Sequence, residues 1–249
     1  MVAFAGVRAL SGVTLSVRRG EVVGLIGPNG AGKTTLVNAV SGFARVAEGR
    51  VHMDGTDVTA LSADRRARLG LARTFQHGRL FRGLTVRENV ELGALGIGTT
   101  GRTARRRAEV LLEDLGIGGL AEMTTGQLAH GDQQRVSVVR ALAAEPAYLL
   151  LDEPAAGLPE AHADQLELVV AHARERFGTG VIVIDHNVDF VLRLADRVVV
   201  LDHGVVIAGG RPEEIRSNVD VVSAYLGESG VEAEPAVSLA PSDSRDPPR

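Results

Sequence analysis

Gly27-Pro28-Asn29-Gly30-Ala31-Gly32-Lys33-Thr34-Thr35 combines glycines, a lysine and two hydroxyls in the pattern G-x-x-x-x-G-K-T. The chemistry this pattern suits is phosphate binding. Glycines let backbone N–H groups converge on phosphate oxygens. A helix that starts at the loop adds partial positive charge. The lysine reaches the outer phosphates and the hydroxyl serves a magnesium ion. Of 27 basic residues, Lys33 is the single lysine and all others are arginine. A compact ammonium fits inside a phosphate cradle, whereas a planar guanidinium fork does not.

Further polar groups stand at the ends of apolar runs. Asp152 and Glu153 follow Tyr148-Leu149-Leu150-Leu151, Asp185 and His186 follow Val181-Ile182-Val183-Ile184, and Gln76 closes Gly70-Leu71-Ala72-Arg73-Thr74-Phe75. Nucleotide hydrolysis needs a magnesium ligand, a group that orients water and a γ-phosphate contact. Asp152, with Thr34, fits the first need and Glu153 the second; Gln76 and His186 remain as phosphate or metal contacts. Taken singly, each has an ordinary explanation. Asp-Glu can be a solvated strand end, Gln76 a surface glutamine, and His186 is one of seven histidines. Their joint occurrence with the loop carries the reading.

These groups need an α/β scaffold. Val22 to Ile26 is short and apolar enough for a buried strand, and Leu36 to Val40 reads as the helix after the loop. In a parallel sheet, ligands bind at the carboxyl ends of the strands, which puts the polar strand ends on the edge that carries the loop. Elsewhere, Phe4 to Val17 reads as short strands, with Thr14 to Val17 alternating. Gly49 to Gly55 reads as a strand and turn, and Ala63 to Leu69 as a helix. Residues 85–145 read as a helical subdomain, opened by capping-box spacing at Thr85 and Glu88, with helices over Ala104 to Leu115 and Val136 to Ala144. The core resumes with a helix from Glu160 to Phe177 stopped by Gly178, a helix over Val188 to Leu194, a hairpin turning at His203-Gly204, and a short helix from Pro212. The expected organisation is one domain over 1–227, with its core in about 1–84 and 146–227. Residues 228–249, rich in Ser, Pro and acids, read as a disordered tail.

Composition narrows the classes. A net charge of −4 gives no general pull toward nucleic acid. The chain has no cysteine, which excludes disulfides, thiolate metal sites and thiol nucleophiles. No apolar run approaches the ~18 residues of a spanning helix, and no signal peptide is evident. The chain reads as soluble by itself, with any membrane role reached through a partner. Arg65 to Arg107 holds eleven arginines against two acids, Glu88 and Glu91. That stretch is either a solvated face or a docking surface for something acidic.

Leu128-Ala129-His130-Gly131-Asp132-Gln133-Gln134-Arg135, about twenty residues before Asp152, resembles the L-S-G-G-Q signature of ABC ATPases. The phosphate loop, Gln76, this segment, Asp152-Glu153 and His186 follow in the family's order, so the resemblance covers essentially the chain to Gly227. It implies a P-loop NTPase (RecA-like) core with an antiparallel β subdomain and an inserted helical subdomain. It also implies two subunits packed head to tail, with ATP held between one subunit's loop and the other's signature. On this resemblance Gly27 to Thr35, including Pro28, Asn29, Gly30, Ala31, Gly32 and Lys33, hold ATP. Thr34, Gln76 and Asp152 hold Mg2+, Glu153 is the catalytic base and Gln76 senses metal and water. His186 steadies the γ-phosphate. Phe4 matches the residue that stacks on adenine, with a buried core position as its alternative. Ala129, His130, Gly131 and Asp132 face the partner's nucleotide.

Two departures stand out. Ala129 replaces the signature serine, and family members have an additional leading strand ahead of the position of Phe4, so either the fold manages without it or the start lies upstream. Within the family, Arg73-Thr74-Phe75-Gln76-His77, Leu80-Phe81-Arg82, Pro154-Ala155-Ala156-Gly157-Leu158 and Ala224-Tyr225-Leu226-Gly227-Glu228 resemble the ATP-binding subunit of branched-chain amino-acid importers, where alanine in the signature is usual. That subgroup implies two transmembrane permease subunits and a second ATPase subunit, as a heterodimer or a homodimer. It further implies an extracytoplasmic solute-binding protein and a place on the cytoplasmic face of the membrane. Urea and amide importers have similar ATPases. A lipopolysaccharide-export ATPase shares Asp185-His186-Asn187-Val188. A soluble ABC ATPase of another class would usually carry a second ATPase domain or a long coiled-coil insert.

Overall fold

The computed structural model describes residues 2–4, 7–75, 79–218 and 221. The chain opens with an antiparallel pair, β1 (Val2–Phe4) and β2 (Val7–Leu10). Strand β3 (Val22–Ile26) runs into the glycine loop and helix α1 (Lys33–Ser41). A small hairpin of β4 (His52–Met53) and β5 (Thr56–Asp57) follows, then α2 (Ala63–Arg68) and β6 (Leu71–Arg73). Three helices, α3 (Val86–Leu95), α4 (Gly101–Asp114) and α5 (His130–Leu142), come before β7 (Tyr148–Asp152). The remainder alternates: α6 (Glu160–Phe177), β8 (Gly180–Ile184), α7 (Val188–Leu194), β9 (Arg197–Asp202), β10 (Val205–Gly210) and α8 (Pro212–Arg216).

The main sheet has six strands in the order β10-β9-β3-β8-β7-β6. All neighbours are parallel except β10 against β9. Both faces of the parallel strands are covered, which is why they read as unbroken apolar runs. Along β3, Val22 and Ile26 pack into one core, among Leu149, Leu151, Val183 and the α6 and α7 side chains. Val23 and Leu25 pack into the other, with Val37 and Ala39 of α1. The strand period of two thus splits one strand between two cores.

Several expected elements are present with the expected bounds. Thr85 caps α3 by accepting from the Glu88 amide, and the Glu88 carboxylate accepts from the Thr85 amide. Gly178 ends α6 at φ 62. His203 and Gly204, at φ 41 and 77, turn the β9–β10 hairpin. One expectation fails. Val13, Leu15 and Val17 lean on the second core, but Thr14 to Val17 belongs to no ladder. It borders a hollow of about 580 Å3 against the sheet, so its alternation records burial without a hydrogen-bonded neighbour. Helix α5 also starts earlier than Val136, at His130.

Gly93 of α3 lies against the backbone of α5. A Cβ there would stand 1.9 Å from the Arg140 carbonyl oxygen, and a helix backbone cannot yield that distance. Gly93→Ala is expected to cost about 1–3 kcal/mol through overpacking, read as a lower urea midpoint with unchanged slope. Gly119→Ala, with open space around it, should leave the midpoint nearly in place.

Candidate functional site

Register places the polar groups on one edge. Leu25 of β3 and Asp152 of β7 both pair with Ile184 of β8. The glycine loop, Glu153 and Asp185-His186 therefore leave the sheet at one level. The loop lies against β9. A Cβ at Gly27 (φ 153) would stand 1.9 Å from the Leu201 carbonyl oxygen. Gly32 (φ 102) is crowded less severely, with the Ala9 carbonyl oxygen 2.8 Å from its Cβ position. Gly30, at φ 77, has open space around its Cβ position. Two glycines thus anchor the loop while the third leaves its crest accessible.

Lys33 is 7% exposed, and its Nζ donates to the carbonyls of Gly27 (2.6 Å) and Pro28 (2.8 Å). The ammonium sits within the ring of the loop. Asn29 and Gly30 are exposed at its crest, and Thr34 is exposed on the first turn of α1. Ala31 is buried, and Thr35 half-buried, behind them.

Asp152 is 5% exposed. Its Oδ2 accepts from Arg73 Nη2 at 2.9 Å, and its Oδ1 is buried without a hydrogen-bond partner. Glu153 takes φ 51, a conformation seldom used by residues other than glycine, and its amide donates to the Ile184 carbonyl. Its carboxylate meets His186 Nε2 at 3.0 Å. The two residues, separated by a whole helix and strand in sequence, form one hydrogen-bonded pair.

Asp185 was not singled out for a role, and it holds that pair's two loops together. Its carboxylate accepts from the amides of Ala155 (2.8 Å) and Asn187 (2.9 Å). Burial pushes its pKa up, against the pull of those two amides. An Asp directly before His186 is the only signal in the sequence. Arg73 is the second omission: its partners, Asp152 and α1, are remote in the chain.

The signature segment is at the N-terminus of α5. Ala129 is the N-cap residue, with extended φ/ψ and no side-chain cap. Asp132 lies in the first turn, and His130 Nε2 is 3.4 Å from the Ala156 carbonyl. Gly131 packs under His162, whose Cδ2 would be 2.1 Å from a Cβ there. Phe4 lies in β1, but its side chain, Gln76, His77 and residues 222–249 are outside the described residues.

The arginine-rich stretch does not form one face. Arg66 is fully buried and Arg73 is buried. Arg87 pairs with Glu91 and Glu122, both at 2.9 Å, and these pairs drive its pKa up. Arg79 and Arg82 are exposed. They adjoin a groove of about 400 Å3 lined by Phe43, Phe75, Phe81, Leu92 and Ile97. Phe43 and Phe81 are 58% and 56% exposed, so three of the chain's six phenylalanines gather at one surface.

A glycine loop opening a helix after a parallel strand, with carboxylates at a neighbouring strand end, defines a P-loop nucleotide-binding protein. A family profile described as "ABC transporter" matches residues 10–156, and one described as "Branched-chain amino acid ATP-binding cassette transporter" matches 205–231. The chain belongs to the ABC transporter ATP-binding family and is an ATPase of that family. It is 38% identical to the high-affinity branched-chain amino acid transport ATP-binding protein LivG of Salmonella typhimurium, across 92% of this chain and 96% of the relative. It is 37% identical to BraF of Pseudomonas aeruginosa, named for the same transport, across 91% and 94%. A crystal structure of the ADP conformation of an ATP-binding cassette from an ABC transporter superposes with a TM-score of 0.82, at 32% identity, over 90% and 94% of the chains.

The residues fit a nucleotide with a divalent cation. The loop offers a cradle with an ammonium inside it, and Asp152 offers one unpartnered oxygen. Among the described residues no three His, Asp or Glu side chains cluster as a metal site. A cation at Asp152 therefore needs phosphate oxygens to complete its shell. The uncapped helix end gives a direct test. Ala129→Ser should stabilise the fold by about 1 kcal/mol, the usual worth of an N-cap hydroxyl, measured by urea denaturation. An unchanged midpoint would show that the first-turn amides gain nothing from it.

Proposed function

We propose that this chain is the ATP-hydrolysing subunit of a branched-chain amino-acid importer, bound to two permease subunits on the cytoplasmic face of the membrane. The solute follows the relatives' names, LivG and BraF, and the C-terminal profile match. The observation that carries the chemistry is the shared edge of the glycine loop, Asp152 and the Glu153–His186 pair. In this reading the backbone of Gly27 to Lys33 and the Lys33 ammonium bind the phosphates. Thr34 and Asp152 hold Mg2+, which when bound offsets phosphate charge. Glu153 takes a proton from the attacking water. The imidazole of His186 fixes the carboxylate's direction and stands ready for the γ-phosphate. A second ATPase subunit meets this one head to tail, and Ala129 to Asp132 reach its nucleotide. A solute-binding protein delivers the amino acid from outside.

Loss of leucine, isoleucine and valine uptake in cells deprived of this chain, with urea uptake intact, is the expected transport phenotype. The reverse pattern would reassign the solute. For the chemistry, Glu153→Gln should keep ATP binding and lower turnover by about 10²–10⁴, as loss of a general base does. Turnover near the original in the assembled complex would remove Glu153 from that role.

The permeases need a place to dock. The aromatic groove beside Arg79 and Arg82 is the one proposed here, because it joins exposed phenylalanines to arginines that make no ion pair among the described residues. Phe81→Asp combined with Arg82→Glu should cut recovery of permease with the tagged ATPase. Arg87→Glu is no substitute, since Arg87 is already committed to Glu91 and Glu122. Undiminished recovery with the double variant would move the docking site elsewhere.

A further inference from the structure

We propose that Arg73 is a positioning residue for the metal site, fixing the Asp152 carboxylate relative to the helix that carries Thr34. The inference rests on the reading of Asp152 as a magnesium ligand and goes beyond it. Arg73 Nη2 donates to Asp152 Oδ2 at 2.9 Å, with side chains 8% and 5% exposed. Its other terminal nitrogen, Nη1, donates to Asn38 Oδ1 (2.7 Å) and Ser41 Oγ (2.9 Å). Both acceptors belong to α1. Thr34, Asn38 and Ser41 are spaced i, i+4 and i+7, which puts them on one stripe of that helix. One planar guanidinium therefore sets the distance between the two protein groups that face the cation, Thr34 on α1 and Asp152 on β7.

A buried ion pair seldom adds net stability, because desolvation offsets the attraction. What this one supplies is direction. With Oδ2 engaged, Asp152 keeps Oδ1, the buried oxygen without a partner, as the atom left for a cation. The Asp152 amide donates to Thr74 Oγ1 at 3.3 Å, so the residue after Arg73 steadies the same position. The guanidinium is itself held by rings: its carbon lies 5.5 Å from the centroid of Phe43 and 4.9 Å from that of Phe75. Both rings line the exposed groove. The groove, the phosphate-loop helix and the metal carboxylate thus share a single side chain. Lysine could not replace it, since a point charge cannot reach Asp152, Asn38 and Ser41 together while lying against the edge-to-face pair of Phe43 and Phe75.

The test separates metal from nucleotide. Binding of a fluorescent ATP analogue to the purified full chain is titrated in EDTA and then with increasing Mg2+. Arg73→Met should bind the analogue in EDTA nearly as well as the original chain. The Mg2+ concentration for half-maximal enhancement should rise about 10–100-fold, the usual cost of losing an outer-shell partner. Arg73→Lys should shift it in the same direction. A purely structural role would instead weaken binding equally with and without Mg2+, and that result overturns the proposal. Asn38→Leu keeps the ion pair and removes one of its two anchors on α1, so it serves if Arg73→Met does not fold; a smaller shift of the same sign is expected. An unchanged Mg2+ requirement in these variants, with Asp152→Asn impaired, defeats the role of Arg73 alone. An unchanged requirement in Asp152→Asn defeats the assignment of Asp152 as well.

Discussion

At Gly27 the backbone of the phosphate loop presses against the Leu201 carbonyl with no room for a single methyl group. Gly32, five residues on, is held in the same way against Ala9. Because β9 is parallel to β3 and pairs with it from Val23 to Ile26, the Leu201 contact fixes the loop to the end of the main sheet, while the Ala9 contact ties it to β2. The rest of the site is measured from that edge. Asp152 and Ile184 end their strands at the loop's level, and Glu153 can reach His186 only because β7 and β8 are register-locked neighbours. A slip of one residue in β7 would turn Asp152 from one face of the sheet to the other.

The helix behind the loop is restrained at both ends. At its start, the Lys33 ammonium is folded into the loop carbonyls. At its end, Arg66 donates to the carbonyls of Ala39, Val40, Thr59 and Leu61, and pairs with no carboxylate among the described residues. A cation at a helix C-terminus is favourable to the helix dipole, although burial lowers the pKa of Arg66. Arg73 grips the same helix from the side. The helix that follows the glycine loop is thereby held at its start, its end and one side, the kind of fixed geometry on which stabilisation by oriented dipoles depends.

Much of this was legible in the chain because it is local. Apolar runs identify β3, β7 and β8, the Thr85–Glu88 spacing identifies the start of α3, and Gly178 identifies the end of α6. The loop motif and the polar strand ends likewise announce the site. What was not legible depends on distance in space. The partners of Arg73 and Asp185 are 79 and 30 residues away, and no local pattern links them. The arginine stretch misleads for the same reason. Close together in sequence, Arg66, Arg73, Arg82 and Arg87 end in a core, a buried pair with Asp152, a surface and an ion-pair triad. Thr14 to Val17 misleads in the other direction, because alternation reports which side chains are covered and cannot report whether a neighbouring strand exists.

The solitary lysine has a practical consequence. The chain carries one ε-amino group, and it lies inside the cradle. Amine-selective acylating reagents have no other lysine here to modify, and the ε-amine is reachable only when it leaves the carbonyls of Gly27 and Pro28. Labelling of this protein is therefore a readout of the cradle itself, with no background from other lysines to subtract.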